Sequence, residues 1–236
     1  KKTLIALMAT AAFASCTTSQ KNPLLSEWDT PYGIPPFSEI SVDDYIPAIQ
    51  AGIDQQTKEI DAIVADTAAP TFANTIEPLE RSGSILAKVQ GVLFNIHETD
   101  RTDALDSIVN LALPMLTEHG DNISFNKGLY ERVAKVYHAD QTALTREQQM
   151  VLKKHFESFE RSGIGLPDDK QERLRQINAD LAVMQQKVST NILAENNAFK
   201  ARFGVGISEY PTAMTTTTDR ARREAMWKAY TTRCHN

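Results

Sequence analysis

Two cysteines in 236 residues, Cys16 and Cys234, leave no disulfide framework. Cys234-His235 is one adjacent pair where a zinc site needs several ligands at short spacing, and it reads as accidental. Positive charge is in deficit too. Twenty-five Lys and Arg against 30 Asp and Glu give a net charge of −5, so nothing draws the whole chain to nucleic acid, and no nucleic-acid role is assigned. No apolar run reaches the roughly 20 residues that span a bilayer, which excludes a permanent transmembrane helix. An alternating strand pattern, an internal repeat, a nucleophile elbow, a P-loop and a dinucleotide fingerprint are all missing.

What remains is ordinary globular material. Hydrophobic residues make up 42% and charged residues 23%, enough to bury a real core in one large or two small domains. The exception is the beginning. Lys1 and Lys2 precede a weakly polar run from Leu4 to Ala14, the charged and apolar regions of a secretory signal over residues 1–15. Phe13-Ala14-Ser15-Cys16 resembles a bacterial lipobox with Phe13 in place of the usual leucine, which implies cleavage before Cys16 and lipid attachment to it. Residues 16–22 would then be a polar tether, and the location the periplasm or cell envelope. The same run would also serve a plain secreted protein cut nearby, or a buried N-terminal helix. The initiator methionine does not precede Lys1.

Beyond the tether the pattern is helical. Pro23, Pro31, Gly33, Pro35 and Pro36 suit an extended arm laid on a surface. Tyr45, Ile49, Ile53, Ile60 and Val64 then recur at helical spacing, with Ser41, Asp43 and Asp44 as cap candidates and Pro47 confined to the first turn. A second helix is expected to open at Asn74 or Thr75 and run to His97, with Leu79, Leu86, Val89, Leu93 and Ile96 inward and Gly83 and Gly91 small enough for a close crossing. A third, from Asp103 to Glu118, contains Pro114, which marks a kink or break. Asn126 caps a short helix through Tyr137. Thr145 and Gln148 form a capping box for a helix that Gly163 stops.

The strongest periodicity runs from Asp168 to about Asn197. Leu174, Ile177, Leu181, Met184, Val188 and Ile192 lie on one stripe along about 45 Å of helix, which needs partners over its whole length. A looser connector from Phe203 to Thr218 leads to a last helix capped by Thr218 or Asp219. Its apolar residues are Ala225, Met226, Ala229 and Tyr230, and its basic face reads as solvated or internally paired. The fold class is therefore all-α.

Chemistry is harder to find. A helical zinc site of the H-E-x-x-H kind sets two histidines four apart, so that both imidazoles meet one ion while the glutamate activates water. His97-Glu98-Thr99-Asp100-Arg101 comes nearest, but arginine stands where the second ligand is needed and stays protonated. It reads as a helix end with charged residues. His119, beside Glu118 and Asp121, lacks a third ligand and reads as a hydrogen-bonding or packing histidine; His138 and His155 are isolated.

Six blocks carry a specific resemblance: NPLL from Asn22, TPYGIPPFSEI from Thr30, DYIPAIQAGI from Asp44, PTFANTIEPLERSG from Pro70, TEHGDNISFNKGLYERV from Thr117 and RLRQINADL from Arg173. In this order they resemble the N-terminal part of the thimet oligopeptidase and dipeptidyl carboxypeptidase family of zinc metallopeptidases, over Asn22 to Asn197 and by extension to Arg233. The resemblance implies a helical lobe, residues 23–200, of a two-lobed peptidase whose channel admits short peptides. Residues 201–236 would be a connector and the start of a helix leading to an absent catalytic part. Zinc would belong to the full-length protein and not to this chain, and short peptides would be the partners, with membrane contact only through the lipid. Site residues are accordingly catalytic none, metal none, lipid attachment Cys16. The chain alone is expected to be inactive. The alternative is a stand-alone, non-catalytic helical lipoprotein that binds peptides or a partner protein.

Overall fold

A computed structural model describes residues 21–232, all helices and connections. Cys16, Cys234 and His235 lie outside the described residues, as do the signal-like residues 1–15. No helix among the described residues is long and apolar enough to cross a membrane.

The proline-rich start is buried at its first turn, while Pro31 to Phe37 lies mostly exposed, as a surface arm would. Asn22 accepts the Leu24 N–H at 2.9 Å and donates to the Asp44 carbonyl at 2.8 Å, nucleating a 3-10 turn over Pro23–Leu25 that drives Leu24 fully into the core. A proline in the first turn loses no hydrogen bond, which is why this stretch coils instead of extending. A second 3-10 turn, Pro31–Gly33, holds Tyr32 at φ 64° with its ring wholly exposed.

Helix α1, Tyr45–Ala65, follows a turn in which the Asp44 carboxylate accepts the Ser41 N–H at 2.7 Å and its hydroxyl at 2.8 Å. The second helix differs from expectation. Thr71, not Asn74, is the cap; it exchanges side-chain bonds with Asn74 at 2.7 and 3.2 Å to start a π turn over Phe72–Ile76. Then α2, Glu77–Arg81, stops, and α3, Ser84–Thr99, starts afresh. Gly83 between them adopts φ 73°, and its N–H donates to Glu59 on α1 at 2.8 Å. Gly83 is thus a corner as well as a close approach to α1, since a Cβ there would stand 2.4 Å from the Gln56 side chain. Gly91 serves no crossing, since a Cβ there would meet nothing within 4 Å. The approach of one helix to another's backbone is at Gly52 of α1, where a Cβ would stand 2.9 Å from the Leu86 Cα of α3.

Helix α4, Asp103–Ser124, passes Pro114 without a break and continues beyond Glu118. Leu105, Val109 and Ala112 bury the turns before the proline, and His119 and Asp121 those after it, so packing holds the helix on both sides of the missing N–H. Asn126 caps α5, Lys127–His138, and the Thr145/Gln148 box opens α6, Arg146–Ser162, which Gly163 ends at φ 88°. Helix α7 runs from Asp168 to Phe203. The segment read as a loose connector is largely helical: a 3-10 turn at Ile207–Glu209, then α8, Tyr210–Thr216, before α9, Arg220–Thr232, capped by Asp219.

Three apolar clusters result. One joins Leu24, α1, α3 and α4 around Ile49, Val89 and Leu93; a second joins α1, α2, α5 and α6 around Ile76, Leu129 and Leu152. The third is small: Phe199 and Phe203 at the end of α7, Met226 of α9, and Tyr210 of α8 stacked on Tyr230 with centroids 3.9 Å apart.

Candidate functional site

The histidines resolve into separate structural posts. His97 is buried, with Nε2 2.8 Å from Asp106 Oδ1. Arg101 donates its Nε to that same oxygen at 2.6 Å and reaches across to the Thr190 hydroxyl of α7 at 2.9 Å. Burial pulls the Asp106 carboxyl upward, but hydrogen bonds from Arg101 and His97, together with their charge, hold it below its ordinary 3.8. A divalent cation does not fit here, because the guanidinium already occupies the carboxylate's donor side and Glu98 points to solvent with its oxygen 3.7 Å from Nδ1. The group ties the end of α3 to α4 and α7.

His119 is buried as well and donates Nε2–H to Gln56 of α1 at 2.9 Å; burial holds its pKa below 6.5. Asp121, two residues on, accepts from Asn178 of α7 instead of joining it. His155 pairs with Glu80 at 2.7 Å beside an open cleft of about 250 Å³, and His138 lies edge-on to Tyr137 and Phe156. Among the described residues no three His, Cys, Asp or Glu side chains gather as a metal site.

The surface that departs from ordinary folding rules is α7. Gln171, Arg175, Asn178, Ala182 and Gln186 face the body of the protein. Asn178 donates to Asp121 at 2.8 Å, Arg175 to Asn122 at 3.0 Å, and Gln171 to the Ile164 and Leu166 carbonyls at 2.8 and 3.0 Å. The Gln186 amide nitrogen is buried without a partner. Ile177, Leu181, Met184, Val188 and Ile192 point the other way, 37 to 56% exposed. At 100° per residue the apolar stripe lies about 120° round the axis from the polar one. Periodicity identified the stripe and its need for partners; Leu174, its first residue, packs on the second cluster while the rest is exposed, and the polar residues that hold the helix in place carried no sequence signal. A contiguous apolar row left in water is the mark of an interaction surface.

Comparison with known proteins gives this chain its context. No protein-family model matches it. Dipeptidyl carboxypeptidase of Salmonella typhimurium is 32% identical over 181 residues, 75% of this chain and 26% of that protein. Oligopeptidase A of Escherichia coli is 28% identical over 173 residues, 73% of the chain and 25% of its own length. Oligopeptidase A of Haemophilus influenzae aligns over 247 positions at 27% identity, covering 91% of the chain and 36% of the relative. The chain thus spans between a quarter and a little over a third of the length of these three relatives. Six blocks in family order, an all-helical fold and these alignments place the chain in the thimet oligopeptidase and dipeptidyl carboxypeptidase family.

Proposed function

We propose that this chain is the N-terminal helical lobe of a peptidase acting on short peptides, one that releases dipeptides from their C-termini. The observation that carries this reading is the alignment with a dipeptidyl carboxypeptidase over 75% of the chain. In this reading α1 to α7 form part of a channel wall that selects substrates by size, and hydrolysis belongs to residues beyond those described. Zinc, which the family resemblance implies for the longer protein, finds no fitting donor set among the histidines placed above. The protein would reside in the periplasm or cell envelope, held to the membrane through a lipid on Cys16, in keeping with the lipobox-like Phe13 to Cys16.

The purified chain, given zinc and a short peptide, is expected to release no dipeptide above the level of buffer. Chelator-sensitive hydrolysis would overturn the assignment of chemistry to another part of the protein. Reading the gene past Asn236 tests the rest: an open frame containing H-E-x-x-H supports a lobe of a larger enzyme, while a stop codon there in several strains favours an independent, non-catalytic module.

A further inference from the structure

Lys88 of α3 is a half-buried cation without a counterion. Its Nζ stands 3.8 Å over the centre of the Trp28 ring and donates to the Ser26 carbonyl at 2.5 Å, and no described carboxylate forms an ion pair with it. Burial holds the ammonium below its ordinary 10.5, and the charge of Glu27 opposes this only in part. An ammonium carries three N–H groups, so a donor remains after the Ser26 carbonyl and the indole face are served. Lys88 borders an open cavity of about 370 Å³, the size of a small-molecule site, walled by Trp28, Pro35, Phe37, Val92 and Ile96. The indole wall is fixed by its own N–H on the Pro23 carbonyl at 3.0 Å, and the floor opens at Gly91, where a Cβ would meet nothing within 4 Å. We propose that this cavity binds a monocarboxylate with an apolar body, its carboxylate on Lys88 and its body between Trp28 and Phe37.

The lone charge selects the ligand. A cation drawn part-way out of water costs free energy until an anion pairs with it, and a carboxylate does so through a charge-assisted hydrogen bond. Lys88 is the one unpaired cation facing a largely apolar wall, and Asn95 adds an amide at the rim. A phosphate or dicarboxylate would be left short of donors there. A cationic ligand meets like charge, and a neutral apolar one deepens the burial of the ammonium without pairing it. The same objection applies to an apolar segment from the rest of a longer protein, which would seal Lys88 in unpaired. A free organic acid and the chain end of a peptide both present the required chemistry, an apolar body ending in one carboxylate.

Hydrocinnamate, titrated calorimetrically into the 236-residue chain made as Cys16→Ser to keep lipid off, is expected to bind with a dissociation constant on the order of 0.1 mM. Its neutral amide should bind about tenfold more weakly or worse, because it leaves the ammonium unpaired. Lys88→Met keeps the stem and removes the charge, and should cost the acid about tenfold while leaving the amide unchanged. Because that variant also frees Ser26 and Trp28, Gly91→Met is the second: its side chain fills the floor of the cavity and should abolish binding with the melting temperature level or raised. N-acetyl-Ala-Phe and its C-terminal amide separate the two sources. Peptide acid binding as well as hydrocinnamate, with its amide weak, assigns the site to a chain end; hydrocinnamate binding alone assigns it to a free acid. No binding by either acid at about 10 mM overturns the proposal, as does equal binding of acid and amide, or binding that survives Gly91→Met. None of these outcomes bears on whether the chain is part of a peptidase, which peptide hydrolysis and the gene sequence decide.

Discussion

Helix α1 meets α3, and α4 meets α7, by opposite means. At the first crossing Gly52 lets the backbones close until a Cβ would stand 2.9 Å from Leu86 Cα, and the buried side chains around it, Ile49, Leu86 and Val89, are apolar. At the second, the contact has two polar rungs, Arg175 to Asn122 and Asn178 to Asp121, with Arg101 of the α3–α4 connection reaching Thr190 farther along α7. Close apolar packing is intolerant of added volume and belongs to the cooperative core. Polar rungs exchange with water at little net gain, roughly 1 kcal/mol each, so they fix direction more than they supply stability. One crossing defines the fold, and the other sets where a long helix points.

The contrast can be broken from the strong side first. Gly52→Val is expected to cost about 3 kcal/mol by forcing α1 from α3, whereas Gly91→Ala, with open space around its Cβ, should leave stability level or raised by about 0.5–1 kcal/mol. Denaturant unfolding of both variants checks the pair; equal losses would mean that Gly52 is not a contact point. Next, Asn178→Ala removes one rung and should cost about 1 kcal/mol, visible as faster amide exchange along α7 with α1 and α3 unchanged. Uniformly faster exchange throughout the chain would show that the two crossings unfold together.

The smallest effect is the dependence on acid. His119 has its folded pKa below 6.5 because of burial, so the folded state prefers the neutral ring. Its contribution is present above pH 6.5 and is lost as pH falls through the folded value. Asp106, also held below its ordinary 3.8, keeps its contribution above pH 3.8 and loses it in stronger acid. Melting temperature should therefore fall in two stages on acidification. His119→Gln should flatten the first stage and leave the second; a first stage that persists in this variant would assign it to another group.

Helix ends were legible where a side chain caps its own backbone, as at Asn126 and Thr145, or where a glycine turns left-handed, as at Gly163, because that chemistry is local. Inward residues of α1 and α3, such as Ile49, Val89 and Leu93, followed from periodicity for the same reason. The break at Gly83 was not legible: a glycine in a helical pattern looks the same whether it allows a crossing or takes a positive φ, and only Glu59, 24 residues earlier, decides. Nor was Arg132, buried on α5, whose guanidinium reaches the Asp66 and Ala68 carbonyls and the Thr75 hydroxyl. For α7 the period was right and the orientation was not legible, because periodicity reports that one face is apolar without saying whether that face turns to its own core or to something else.

The third apolar cluster sits at the far end of α7, built from Phe199, Phe203, Met226 and their neighbours on α8 and α9. Beyond the Thr190 tie the helix carries this small weight on an overhang of about 20 Å at 1.5 Å per residue. Pivoting at Thr190, a tilt of about 5° sweeps Phe203 through roughly 2 Å, since about 20 Å of helix separates them. The hydrogen bonds at the pivot need adjust by only tenths of an ångström. A load on that end of α7 would act on the Arg101–Thr190 bond through the length of this overhang.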